Sequence, residues 1–528
     1  MTTIDHKTER QNDVSRIKGS DHPRKVVVAG PGTGKSFLFQ EILSGKKQQG
    51  KKDFMAITFI GKLGDALADD LCGLSEVMTM HGFARRFVLS NCRGWEYYPK
   101  MHEIIAEDLQ KEGVKGFSVG DDNYKKKSLH YKATGDADVV NYAVQICKKD
   151  NEKIPKHDLI LIDEFQDFNE VESEFVDLLS QKNEIVIVGD DDQALYEFKG
   201  SSPTYIRKKH HKGNAEFESH TLRFCSRCTE VIVKYFHAVV KNFNLNDPAK
   251  NRIQKDYISY TPDKDKDSKA NPKIHLIKNC PSGMIAYKIK TELEKIVESQ
   301  KIKEILIIGE GKSCKTILGN TAKQLGSYGF KNVDYTKEEA TLPLEQSIID
   351  AYKFIHNNQE SLLGWRILGN PTNQSVREKH IKNSKTLNTI TKGTPSKLAL
   401  ISDTDIKNLE NEIQKISIPD KEIRKKLLMS EIKNRTVNLS RPLCNLNITV
   451  CNILNSKGLG ADVVFVIGFD QGKFPTSTTP KDSEIYQMLV ALTRAKKRIY
   501  FINTIGKSVS CFINCLDKAD LNIEEITV

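Results

Sequence analysis

The chain has 528 residues, enough for three or four domains of ordinary size. Hydrophobic residues make up 38% and charged ones 28%, and no apolar run approaches the length of a bilayer span, which argues against a membrane protein. The formal net charge of +11 suits a partner with a phosphate backbone, although the basic runs at 125–127, 207–212 and 496–498 each read as solvated faces when taken alone.

The polar N-terminus shows no signal-peptide core, so a cytoplasmic location is expected. In that reducing compartment the eleven cysteines read as small buried hydrophobes.

Along the chain, Val26-Val27-Val28 reads as a buried strand and Phe37 to Leu43 as a helix. Between them stands Ala29-Gly30-Pro31-Gly32-Thr33-Gly34-Lys35-Ser36. A glycine-rich loop between strand and helix turns backbone N–H groups onto phosphate oxygens. Lys35 then reaches the β- and γ-phosphates, and the Ser36 hydroxyl holds Mg²⁺. Ala29 replaces the usual first glycine, which the pattern tolerates because the later glycines make the closest approach. A nucleoside triphosphate ligand is expected.

Phe54–Phe59 is a second strand, and residues 84–155 read as a more helical, polar insertion. Leu159–Ile162 leads into Asp163-Glu164-Phe165-Gln166-Asp167. Asp163 at the strand end suits the Mg²⁺ ion, and Glu164 suits proton acceptance from an attacking water. Ile185–Val188 leads into Gly189-Asp190-Asp191-Asp192-Gln193, where Gln193 is placed to sense a γ-phosphate or orient water. Tyr196, Phe198 and Lys199 follow, two aromatics beside a cation that could stack bases; taken alone, both rings read as core. Cys225-Ser226-Arg227-Cys228 lacks a second cysteine pair at firm zinc spacing, so it reads as packing.

Residues 243–273 turn polar with three prolines and read as a linker. A second α/β pattern opens at Ile274–Ile277 and Ile305–Ile308 and resumes at Ile448–Val450, Val463–Ile467 and Ile499–Ile502. Residues 364–439, rich in lysine and asparagine, read as a second insertion. Continuous apolar strands separated by helices imply parallel sheets, with ligands at the strand carboxyl ends.

These motifs, in this order, resemble the superfamily 1 DNA helicases of the UvrD/Rep/PcrA type. Asp163–Asp167 and Gly189–Gln193 resemble that family's second and third motifs. Gln11, with Val14 after it, is similar to the adenine-reading glutamine. Thr58, Phe59 and Lys62 resemble one single-strand-binding motif, and Thr79, His81 and Phe83 the next. Asn452–Leu459, with Lys457 and Gly458, resembles the fifth motif, and Val490–Lys496, with Arg494, the sixth.

The resemblance implies two RecA-like domains with ATP and Mg²⁺ in the cleft between them. The first RecA-like domain would take 1–83 and 156–242 and the second 274–363 and 440–528, with small helical insertions at 84–155 and 364–439. Arg494 would reach the γ-phosphate from the second domain, and Arg227 resembles the fourth motif's arginine, with Arg223 a close rival. Single-stranded or partly duplex DNA would be moved, 3′ to 5′, by ATP hydrolysis. The short insertions are also similar to members of bacterial antiviral operons such as Gabija, which implies an alternative: a DNA-dependent NTPase switch for a partner nuclease. Departures fall at the base and ribose end, where Ser226 replaces a tyrosine, Leu454 a histidine and Gly460 a glutamate. In the third motif Phe198 replaces a tryptophan and Lys199 an arginine.

Overall fold

The computed structural model describes residues 5–59, 61–211, 215–243, 245, 251–335, 344–358, 360–370 and 441–526. Most of the insertion expected at 364–439 lies outside the described residues.

Short runs of aliphatic and β-branched residues make the central strands. Val26–Val28, Leu159–Ile162 and Ile185–Val188 expose no side chain, as expected of strands covered on both faces. The first sheet has six parallel strands in the order Glu76–Thr79, Phe54–Thr58, Leu159–Ile162, Ile185–Gly189, Arg24–Ala29, Glu218–Leu222. The second has seven parallel strands in the order Asn332–Tyr335, Asn447–Asn452, Glu304–Gly309, Ala461–Ile467, Ala495–Thr504, Ile274–Cys280, Leu521–Glu525. The fold is therefore α/β with two parallel sheets, consistent with two RecA-like domains. Among the described residues no helix is long and apolar enough to cross a membrane.

Both sheets belong to one compact unit, described at 5–79, 155–335 and 441–526. Helix Glu230–Asn242 follows the first sheet in sequence and buries Ile232, Tyr235 and Phe236 in one core with Met488, Leu489 and Phe501. The two sheets are thus joined by apolar packing as well as by chain.

A second unit combines residues 80–154 with 344–370. Tyr98, Met101, Ile105 and Tyr124 share a core with Ile348, Tyr352, Leu363 and Ile367. Arg366 reinforces it with ion pairs to Asp108 at 2.8 Å and Glu107 at 2.9 Å. Helices Leu344–Asn357 and Leu362–Leu368 thus pack with the first insertion.

The stretch read as a linker is built into the first unit. Ile258–Ser259 pairs with Phe224–Cys225, and Thr261–Ala270 is helical. Just before it, Lys255 enters a fully buried acidic trio. Its Nζ lies 2.6 Å from Asp190, 2.6 Å from Asp191 and 2.7 Å from Asp192. Arg252 adds a bond to Asp192 at 2.7 Å, and Arg207 one to Asp191 at 2.8 Å. The three carboxylates lie close enough to hold a metal ion, but three protein cations already neutralise them.

Removing one partner of such a network leaves buried charge without compensation. Lys255→Ala is therefore expected to lower stability by about 3–5 kcal/mol, read as a drop in denaturation midpoint. A midpoint equal to wild type would show that the trio is solvated or protonated instead.

Candidate functional site

Strand Arg24–Ala29 and helix Lys35–Gln48 present the glycine loop at the carboxyl end of the first sheet, between its two neighbouring strands. Gly32 and Gly34 hold φ of +71° and +92°, the left-handed region that glycine adopts without strain. Gly32 also has no room for a side chain: a Cβ there would stand 2.4 Å from the Arg227 Cβ. The Thr33 hydroxyl donates to the Gly30 carbonyl at 2.7 Å and closes the turn. Tyr257 packs its ring under Gly30 and donates to the Pro31 carbonyl at 2.6 Å. Ala29 is fully buried as the last residue of the strand.

Lys35 Nζ donates to Glu164 at 2.6 Å and stands 4.0 Å from Asp163. Burial alone would lower the Lys35 pKa, but Glu164 and Asp163 raise it. Glu164 sits at φ +53°, a conformation costing a non-glycine residue about 1–3 kcal/mol and common at functional sites. Burial pushes its carboxyl up, yet Lys35 and Lys457 more than reverse this and hold it below the usual carboxylate range. Asp163 is raised by burial, with Lys35 opposing and the Glu164 charge adding.

From Glu164 a hydrogen-bonded path crosses to the second sheet. Gln166 donates to Glu164 at 2.5 Å and accepts from the Asp190 N–H at 2.9 Å. Gln193 donates to Asp190 at 2.6 Å and accepts from Arg494 Nη2 at 3.0 Å. Lys457 reaches back from the second sheet to Asp167, to the Gln193 carbonyl at 3.0 Å, and to within 3.7 Å of Glu164. Gln166 and Lys457 received no role in the sequence reading; their signal was position inside motifs already noted.

Arg494 follows helix Asp482–Thr493 and is 2% exposed. Its hydrogen-bond acceptors are neutral: Val490 O, Leu459 O, Gln193 Oε1 and Thr493 Oγ1. Burial, then the neighbouring Arg227 charge, push its pKa down. A buried guanidinium without a bonded carboxylate suits an incoming anion. The Arg227 side chain lies against Gly32, and among the described residues its guanidinium makes no hydrogen bond or ion pair. Arg223 pairs with Glu9 at 3.0 Å and Asp13 at 3.4 Å. Gly458 holds φ +82° beside Lys457.

The donors fit a magnesium ion. Asp163 Oδ1 is buried without a hydrogen-bond partner, and Ser36 supplies a hydroxyl in the first turn of its helix.

The base end differs from expectation. On helix His6–Gly19 the inward stripe is Arg10, Asp13, Val14 and Ile17, whereas Gln11 lies on the exposed side. Arg10 Nη1 donates to Ser226 at 2.8 Å, and Nη2 lies 2.9 Å from where a Gly34 Cβ would be. Its guanidinium stands 4.7 Å from the Tyr260 ring and 6.0 Å from that of Phe37, which is 47% exposed. The residue that the first helix turns to the phosphate loop is Arg10.

The residues expected to meet nucleic acid divide. Phe198 is 70% exposed, and Lys199 is exposed beside it. Tyr196 is buried, with Phe59 4.9 Å away and the Lys199 and Lys457 ammonium groups over its ring, so it offers no open face to a base. Thr58 is also buried, its hydroxyl unpartnered. Lys62 lies in helix Gly61–Asp70, Thr79 ends its strand, and His81 lies in helix Met80–Asn91 of the second unit.

Two family models match the chain: an AAA domain over residues 15–199 and a UvrD-like helicase C-terminal domain over residues 310–505. The chain is similar to a "Probable DNA helicase II homolog" of Mycoplasma capricolum, 24% identical over 444 residues, covering 70% of this chain and 59% of that protein. It is 35% identical over 81 residues to the ATP-dependent DNA helicase Rep of Buchnera aphidicola, covering 13% of each. The exonuclease/helicase subunit RexA of Lactococcus lactis is 27% identical over 161 residues, 29% of this chain and 13% of that protein. Each match thus spans less than two thirds of the relative's own length.

Arg10→Ala is expected to weaken a fluorescent ATP analogue about tenfold, near 1.4 kcal/mol, while Gln11→Ala moves it less than about twofold. The opposite ranking in titrations of the two folded variants would return base reading to Gln11.

Proposed function

The chain belongs to the UvrD-like group of superfamily 1, and from that premise we propose that it is an ATP-dependent DNA translocase and helicase. The observation that carries the reading is the path from Lys35 through Glu164, Gln166, Asp190 and Gln193 to Arg494. It joins the phosphate loop of one sheet to an arginine of the other, so a ligand at one end is felt by both.

The Glu164 carboxylate is tied to Lys35 and held ionised, which makes it a weak base. A triphosphate in the loop competes for the Lys35 ammonium. Once Lys35 turns to phosphate, Glu164 loses its closest cation, its pKa climbs, and it becomes able to orient and deprotonate water. Asp163 and Ser36 would hold Mg²⁺, which supplies charge neutralisation at the phosphate oxygens. Gln193 carries the change to Arg494, whose charge has no bonded carboxylate to satisfy it. Arg494 and Arg227 would then stabilise charge on the transferring phosphoryl group. Breathing of the two sheets through this cycle would move single-stranded DNA, with Phe198 stacking on a base and Lys199 on the backbone. Direction 3′ to 5′ rests on the resemblance alone.

A second reading is a DNA-gated NTPase switch that regulates a partner nuclease in an antiviral complex of the Gabija kind. It is favoured by the Lys35–Glu164 bond, which keeps the base engaged until a ligand displaces it.

Steady-state ATP hydrolysis should rise with single-stranded DNA and fall at least a hundredfold in Glu164→Gln, the scale of a lost general base. Hydrolysis indifferent to DNA in the folded wild type would sink the translocase reading. Stimulation without strand displacement would favour the switch. Phe198→Ala should weaken single-strand binding by about 1–3 kcal/mol. Unchanged affinity would remove Phe198 from the DNA path.

A further inference from the structure

Cys225 and Cys228 stand beneath the phosphate loop and are used by no step above. Both are fully buried. The Cys228 N–H donates to Cys225 Sγ at 3.2 Å. Tyr257 Oη lies 2.8 Å from Cys225 Sγ and 2.6 Å from the Pro31 carbonyl. A hydroxyl has one proton to donate. It can serve Pro31 while accepting from a Cys225 thiol, or it can serve a Cys225 thiolate and leave Pro31. The protonation state of Cys225 is thereby wired to the loop backbone.

Steric contacts run the same way. Cys225 Sγ lies 3.3 Å from where a Gly32 Cβ would be, and Arg227, between the two cysteines, presses on the same glycine. Cys228 Sγ points at the Thr493 carbonyl at 3.8 Å, one residue before Arg494. The pair therefore touches the phosphate loop, Arg227 and the Arg494 segment together. A metal does not explain it, because among the described residues the one metal-sized cluster of such side chains is the distant-in-sequence aspartate trio.

We propose that Cys225 and Cys228 form a reversible disulfide when a hydroperoxide reaches them, and that this bond closes the nucleotide site. Cys225 is the attacking sulfur: burial raises its pKa, but the hydrogen bonds from Cys228 and Tyr257 outweigh burial and lower it, whereas Cys228 is raised. The Cys225 thiolate attacks the peroxide oxygen, the O–O bond breaks, and the alkoxide leaves as alcohol after taking a proton. The product is Cys225 sulfenic acid. Cys228 sulfur then attacks the Cys225 sulfur, the S–O bond breaks, and water leaves with the Cys228 proton. Two thiols and one hydroperoxide thus give one disulfide, one alcohol and one water. A bond across this turn bears on Arg227, which stands between the two cysteines and already lies against Gly32.

The bond itself is independent of the proposed function, whereas its effect on catalysis rests on that reading. The test treats nucleotide-free full-length protein with hydrogen peroxide, followed by peptide mapping and titration of a fluorescent ATP analogue. A 225–228 disulfide is expected, with affinity at least tenfold weaker and restored by dithiothreitol. Cys228→Ser and Cys225→Ser should each form no such bond and keep after peroxide the affinity they had before it. Two reduced thiols, in protein whose exposed Cys72 is oxidised, would overturn the proposal. So would a disulfide that leaves affinity unchanged. A disulfide in protein that hydrolyses no ATP when reduced would keep the dithiol site and remove the translocase reading.

Discussion

The structure turns on one buried carboxylate, Glu164, shared between lysines of two sheets. Lys35 approaches from the phosphate loop at 2.6 Å and Lys457 from the second sheet at 3.7 Å. Two ammonium groups around one carboxylate, with Gln166 bonded to its other oxygen, leave little freedom to the side chain. The left-handed backbone at Glu164 is tolerated because the surroundings fix it from several sides. Everything that must respond to a nucleotide is within two or three hydrogen bonds of this group. An anion competing for Lys35 would bear on Glu164 and, through Gln166, Asp190 and Gln193, on the contacts of Arg494.

Such a path works only if its middle is rigid. Asp190, where it turns, is also an acceptor for Lys255. The aspartate trio would repel itself strongly in a low-dielectric interior, and Lys255, Arg252 and Arg207 remove that repulsion. Lys255 and Arg252 come from the connection between the two sheets, and Arg207 also bonds Tyr486 beside the second sheet. The polar connection is thus the counter-charge for the third motif, and its composition has a structural cause. Read as sequence it resembled a linker, because partners 60 or so positions away cannot be seen in a local window.

The legible part of the chain is the part whose residues have local reasons. Interior strands such as Leu159–Ile162 and Val463–Ile467 are continuous aliphatic runs and announce themselves. The strands Glu76–Thr79, Asn332–Tyr335 and Leu521–Glu525, at sheet edges among the described residues, are only partly buried and mix polar with apolar residues, so the sequence reading did not mark them. The phosphate loop and the carboxylates after it were legible from spacing. Lys457, Gln166, Tyr257 and Arg10 were not, since each acts through a partner on another element. Tyr196 and Phe198 show the same limit. Two aromatics two residues apart look alike in sequence, yet the turn at Glu197–Lys199 buries one and exposes the other.

The departures from the family pattern become coherent once neighbours are considered. Ser226 stands where a base-stacking tyrosine is expected, and its hydroxyl accepts from Arg10, whose guanidinium lies between Tyr260 and Phe37. Planar, π-bearing groups therefore remain at that end of the loop, supplied by different residues. Gly460 stands where a glutamate is expected, and a Cβ there would come within 3.5 Å of Arg227 Nε. A carboxylate at that position would pair with Arg227 and quench it. With glycine there, Arg227 has no ion-pair partner among the described residues and stays beside Gly32.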